Sequence, residues 1–193
     1  MMMTLDDLTF NLTNWDEAKP RLKARLYNNS FEADVYEPAA RYGFHDLRIV
    51  PYITMMENGY TKVTRQLTDI WGVTPEEVLE VAKANVADDV DIMSMAKLIS
   101  ELTDTPLPEG VIPTKVITNA DKFYGAISII YSKEKLSKMF PNGYIVLPSS
   151  VHEVIVIPDI GEDDNEKFVE MVRDVNATVV EPQDVLSDRI YTF

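Results

Sequence analysis

An α+β domain, built on a mixed and largely antiparallel sheet with helices mainly on one face, is what the sequence predicts, and three observations carry that expectation. Strand-like segments follow one another through short turn signals such as Asn58-Gly59 and Pro141-Asn142-Gly143, which favours hairpins over βαβ crossovers. Between them lie segments with apolar residues at helical spacing. Hydrophobic residues are 46% of the 193, enough to close a core without a metal or disulfide staple. The chain reads as a single domain over 1–193, with a division into a helix-rich part (1–105) and a sheet part (114–193) as the alternative. Between those parts, Thr103 to Thr114 carries Pro106, Pro108, Gly110 and Pro113, the composition of a connector.

After the Met1-Met2-Met3 start region, Trp15, Ala18, Leu22 and Leu26 recur at helical spacing, with Asn14 as cap and Pro20 as a kink or a late start. Leu47 to Thr54 and Tyr60 to Val63 read as a hairpin, and Pro51, lacking an amide proton, places its strand at an edge or a bulge. A short helix through Leu67, Ile70 and Trp71 ends at Gly72. Thr74, Pro75 and Glu77 then form a capping box, and Val73 can staple onto Val78. Val78, Leu79, Ala82 and Val86 make the apolar stripe of the helix that follows.

Ile92, Met95, Ile99 and Leu102 predict another amphipathic helix. Beyond the connector come strands at Val116 to Thr118 and Tyr124 to Tyr131, a helix over Lys133 to Met139, and strands at Tyr144 to Leu147 and His152 to Ile157. The continuously apolar Val154 to Ile157 suits a strand covered on both faces. Phe168, Met171, Val172 and Val175 supply a covering helix, entered through Asp163 and stopping at Asn176. A turn after Pro182 and a last strand, Arg189 to Phe193, complete the chain.

The formal charge of −14 excludes direct binding to nucleic acid or anionic membrane and leaves open a partner that is itself basic. No apolar run approaches the ~20 residues of a membrane span, and the expectation is a cytoplasmic protein. Without Cys, and with only His45 and His152, disulfides, thiolates, iron–sulfur clusters and multi-His metal sites fall away, while carboxylate sites for magnesium or calcium stay open. Seven glycines form no phosphate-cradling loop, so no cofactor is expected. Glu162, Asp163, Asp164 and Glu166 do not match a calcium loop and are explained as carboxylates at a helix start. Met55, Met56, Met93 and Met95 are read as core filling, and His45-Asp46 as a surface turn.

Leu147-Pro148-Ser149-Ser150-Val151-His152-Glu153-Val154 is the one stretch that brings hydroxyl, imidazole and carboxylate together, making Ser149, Ser150, His152 and Glu153 the candidates for nucleophilic chemistry. No Gly-x-Ser-x-Gly elbow is present, and Pro148-Ser149-Ser150 fits a strand-to-strand turn. A zinc protease is excluded, because no second His follows His152-Glu153. The structural reading of this string is therefore preferred.

From Trp15 onward the chain resembles an uncharacterised domain family of Clostridia and related Firmicutes, a domain of unknown function. The resemblance rests on Trp15 to Pro20 with Arg25-Leu26, on Trp71 to Glu77, on Tyr124-Gly125-Ala126, on Tyr144 to Val154 with its Leu-Pro-Ser-Ser-x-His-Glu-Val string, and on Val185 to Asp188. It implies a longer parent with an additional N-terminal region, and no catalytic residues. The functional expectation is a non-enzymatic acidic domain that binds another protein. The alternatives are a nucleic-acid mimic from a phage or mobile element that blocks a nuclease, and a hydrolase using Ser150 and His152.

Overall fold

The computed structural model describes residues 10–28, 40–41, 46–55, 59–108, 110–161 and 165–193. The expectations for His45, Met56, Asn58 and Glu162 to Asp164 lie outside these residues. Helix α1 is Trp15–Ala18, a 3-10 turn spans Lys19–Arg21, and strand β1 runs Leu22–Asn28. The long N-terminal helix expected from Trp15, Ala18, Leu22 and Leu26 is therefore corrected. Pro20 closes the helix, and a spacing of four serves a strand face as well as a helix face. Leu22, Ala24 and Leu26 are all buried on one side of β1, while Lys23, Arg25 and Tyr27 alternate onto the other.

Strands β2 (Ala40–Arg41), β3 (Leu47–Thr54) and β4 (Tyr60–Lys62) complete the first sheet, in which β3 pairs antiparallel with all three others. Pro51 is buried in the middle of β3, whose register with β1 is continuous, which corrects its assignment to an edge or a bulge. On one side it faces Ala24; on the other it falls between the residues that pair with β2 (Arg48, Ile49) and those that pair with β4 (Tyr52 to Thr54). The missing amide proton is thus placed where no ladder needs it.

Helix α2 (Arg65–Trp71) ends on Gly72 at φ 67°, and α3 (Pro75–Ala84) opens with the expected capping box of Thr74 and Glu77. Val78, Leu79 and Ala82 of α3 are buried, and the helix lies against β1 and β3. Asp91–Ser94 forms strand β5, and α4 begins only at Met95, running to Thr103. Ile92 consequently belongs to a ladder, opposite Ile117, and not to the helix expected there, while Leu102 is exposed.

The second sheet has the order β5, β6 (Lys115–Thr118), β8 (Val154–Pro158), β7 (Tyr144–Leu147), β9 (Tyr191–Thr192), every pairing antiparallel. The expected strand over Tyr124 to Tyr131 is instead a 3-10 turn, Gly125–Ser128, leading directly into α5 (Ile129–Met139). Residues 124–129 are buried on every side, so their apolar continuity carries no period to separate strand from helix. Helix α6 (Asn165–Thr178) runs past the expected stop at Asn176, whose buried amide donates to Ser187 O and Asp188 Oδ1. Val172 of α6 packs with Ile145 and Leu147 on one face of the second sheet. The opposite face, with Val146, Val154 and Val156, joins one apolar cluster that also contains Leu22, Leu26, Ile53 and Val78. The architecture is α+β.

Candidate functional site

Three polar segments far apart in sequence are stitched together where the two sheets meet. The turn after β7 is held on one side by the C-terminal segment: Val151 N donates to Asp184 O, Leu186 N to Ser149 O and Ser187 N to Pro148 O. On its other side, Ala126 N donates to Val151 O, and Thr118 Oγ1 donates to His152 O at 2.9 Å. Asn119 clamps the third segment with its side chain, accepting from Phe123 N and donating to Phe123 O. Arg25, Tyr124 to Ala126, Ser149 to His152 and Val185 to Ser187 are therefore neighbours in space.

His152 occupies the centre of this arrangement. Its Nδ1 accepts the Tyr124 amide at 3.2 Å, and its Nε2 lies 3.5 Å from Asp184 Oδ2. The ring stacks on Tyr124 at an interplanar angle of 5° and leans on Phe123. An amide can only donate, so Nδ1 carries a lone pair and the proton of the neutral ring resides on Nε2, toward the carboxylate. Ser150 Oγ accepts from His152 N at 3.0 Å, the geometry of a serine turn, and does not bond the imidazole. Ser149 is half-buried and Glu153 exposed; no described contact carries either into the imidazole's surroundings. Asp46 is bound at the far end of the same seam, accepting from Ser187 Oγ and from Tyr191 OH.

Tyr124 adopts φ 51°, rare for a bulky side chain and costing roughly 1–2 kcal/mol. Its amide bond to His152, its ring contacts with Tyr52, Tyr60, Phe123 and His152, and the guanidinium of Arg25 4.3 Å above the ring offset that strain. Gly125 follows at a position with no room for a side chain: an added Cβ would lie 2.6 Å from Asn119 N and 2.7 Å from His152 O. Arg25 itself, buried among Tyr27, Tyr60 and Tyr124, is the residue that sequence reasoning missed. Its signal was available: once 22–28 is a strand, Lys23, Arg25 and Tyr27 share the face opposite the aliphatic one. Next to it, Lys23 bridges Asp121 at 2.8 Å and Asp89 at 3.8 Å.

The phenols of Tyr52, Tyr124 and Tyr191 are all pushed above the ordinary range. Burial is the leading cause in each, with hydrogen bonds to Tyr60 and Asp46 adding to it for Tyr124 and Tyr191. An unfolded chain releases these protons near pH ~10 while the folded one retains them. Stability is therefore full below that pH and falls above it, by about 1.4 kcal/mol per pH unit for each tyrosine. Urea melts at about pH 9 and 11 should show a loss of several kcal/mol; equal stability at both would contradict the burial of these phenols.

Among the described residues no cluster of three or more His, Asp or Glu side chains is placed to hold a metal ion, and no helix is long and apolar enough to cross a membrane. The model of a family of unknown function, DUF5688, matches residues 3–193, and the chain belongs to that family. No curated protein and no solved structure matches it.

Proposed function

We propose that this member of the family works by binding a protein partner with a basic surface, and not as a hydrolase built on Ser150 and His152. The observation that supports this most is the occupied imidazole: with Nδ1 taken by the Tyr124 amide and the proton on Nε2, no lone pair is left to accept a proton from a hydroxyl. The contacts that meet at His152 also favour reading the Leu-Pro-Ser-Ser-x-His-Glu-Val string as the family's structural framework. Its role is to seat the turn against Tyr124 and Val185 to Ser187.

The charge distribution supplies the chemistry of the partner. Lys83, Lys97 and Lys138 are each paired with a carboxylate on their own helix, and Lys23 lies between two. On α6, Glu166, Glu170 and Asp174 follow one another at a spacing of four along an exposed face. Like charges at that spacing cost a few tenths of a kcal/mol per pair; Lys167 and Arg173, three residues either side of Glu170, offset part of that cost, and a cationic surface relieves the rest. A nuclease with a basic channel is one partner of this chemistry.

The test is binding of a fluorescent oligolysine peptide, followed by anisotropy at low and high salt. Reversing Glu166, Glu170 and Asp174 to Lys should weaken binding about ten-fold, equivalent to about 1.4 kcal/mol, and salt should weaken the wild type. An equal effect from reversing Asp69, Glu76 and Asp88, or indifference to salt, would remove α6 as the docking face. Turnover of an ester that disappears on Ser150→Ala or His152→Ala would establish the hydrolase instead.

A further inference from the structure

Arg25 is a buried cation without a counter-ion among the described residues. Its exposure is 8%, and its Nε is inaccessible and has no hydrogen-bond partner. In a chain with 32 acidic residues, no Asp or Glu among those described forms an ion pair with it. What surrounds it is aromatic: the guanidinium carbon lies 4.3 Å from the Tyr124 ring centroid, 5.2 Å from Tyr27 and 5.5 Å from Tyr60. Rings stabilise the faces of a guanidinium, but its N–H donors lie in the plane and still need acceptors. A charge removed from water with a donor unmet is costly, and selection for folding alone is served as well by an apolar residue.

We propose that Arg25 anchors an oxyanion-binding site, whose ligand is a small molecule carrying a carboxylate or a phosphate group. The edge of the guanidinium formed by Nε and one Nη matches two oxygens of such a group; Nε is the atom left unmet, and because it has no exposed surface, binding requires the Tyr60 ring to turn aside. Tyr60, 42% exposed, is the outermost ring of the cage and marks the side from which a ligand enters. Beside the cage, on the same face of β1, is a cavity of about 470 Å³ lined by Lys23, Tyr52, Asp121, Lys122 and Phe123 but not by Arg25 itself. Tyr52 links the two, lining the cavity and contacting the Tyr124 ring of the cage at 5.2 Å between centroids. The cavity gives the ligand's organic body room beside Tyr52 and Phe123; Lys122 adds a cation there, and the Asp121 carboxylate is already paired with Lys23. This site is separate from the acidic face of α6, so either proposal can fail without the other.

The experiment follows the arginine Nε–Hε signals of the intact, isotope-labelled protein, assigned in the wild type so that no variant has to fold. Inorganic phosphate and acetate are titrated separately against chloride at matched ionic strength. The Arg25 signal should move saturably, with phosphate alone, acetate alone or both, which names the oxyanion the site accepts. Arg25→Lys keeps the charge without the fork and should weaken the binding at least about ten-fold, as seen by thermal stabilisation. An Arg25 signal that responds to phosphate and acetate no more than to chloride overturns the proposal.

Discussion

Replacing Gly125 by alanine is expected to remove a large part of the protein's stability, on the order of 3 kcal/mol or more, where domains of this kind have ~5–15 in total. The new methyl would collide with Thr118 Oγ1 and sit 2.6 Å from Asn119 N and 2.7 Å from His152 O. Thr118 could rotate aside only by giving up its hydrogen bond to His152 O. The other two are backbone atoms of segments fixed by the Asn119 clamp and by the second sheet, so they cannot yield separately. Gly72→Ala is the control: its φ of 67° makes alanine strained, yet nothing lies within 4 Å, and the cost should be only about 1 kcal/mol. Urea denaturation of both variants decides the matter. A loss below about 1 kcal/mol for Gly125→Ala would mean that the three segments are not held in register.

Tyr124 carries the second large expectation. Truncation to alanine removes a ring that contacts Tyr52, Tyr60, Phe123, His152 and Arg25, and should cost about 4 kcal/mol. Because the residue holds φ at 51°, glycine should be better tolerated than alanine by about 1 kcal/mol, reversing the order found in ordinary helices and strands. Tyr124→Phe keeps the ring and loses only the hydroxyl's bond to Tyr60, worth about 1 kcal/mol. An alanine variant more stable than the glycine variant would show that the backbone is not left-handed in solution. His152 would then lose the geometrical reason for its tautomer.

These two positions also show what a sequence can and cannot disclose about such a fold. The helix at Pro75–Ala84 was legible because capping, proline placement and apolar stripe agree within ten residues. Leu22 and Leu26 misled because their spacing suits a helix and a strand equally; the parity of Ala24 with them, and of Lys23 with Arg25, was the available signal. Residues 124–129 misled for the opposite reason, since burial on all sides erases any period. The Ser150 to Glu153 string announced itself as chemistry by composition. The surroundings of its imidazole are set by partners 28 and 32 positions away, the Tyr124 amide and the Asp184 carboxylate, which no local pattern encodes.

The state of the His152 ring is where the account is most exposed. Long-range proton–nitrogen correlation spectra of the imidazole at pH 8.5 read it directly. The expected result is a proton on Nε2 and a bare Nδ1 that shares a hydrogen-bond coupling with the Tyr124 amide. A proton found on Nδ1, or a coupling from either ring nitrogen to the Ser150 hydroxyl, would contradict the structural reading of His152 and return the hydrolase built on Ser150 and His152.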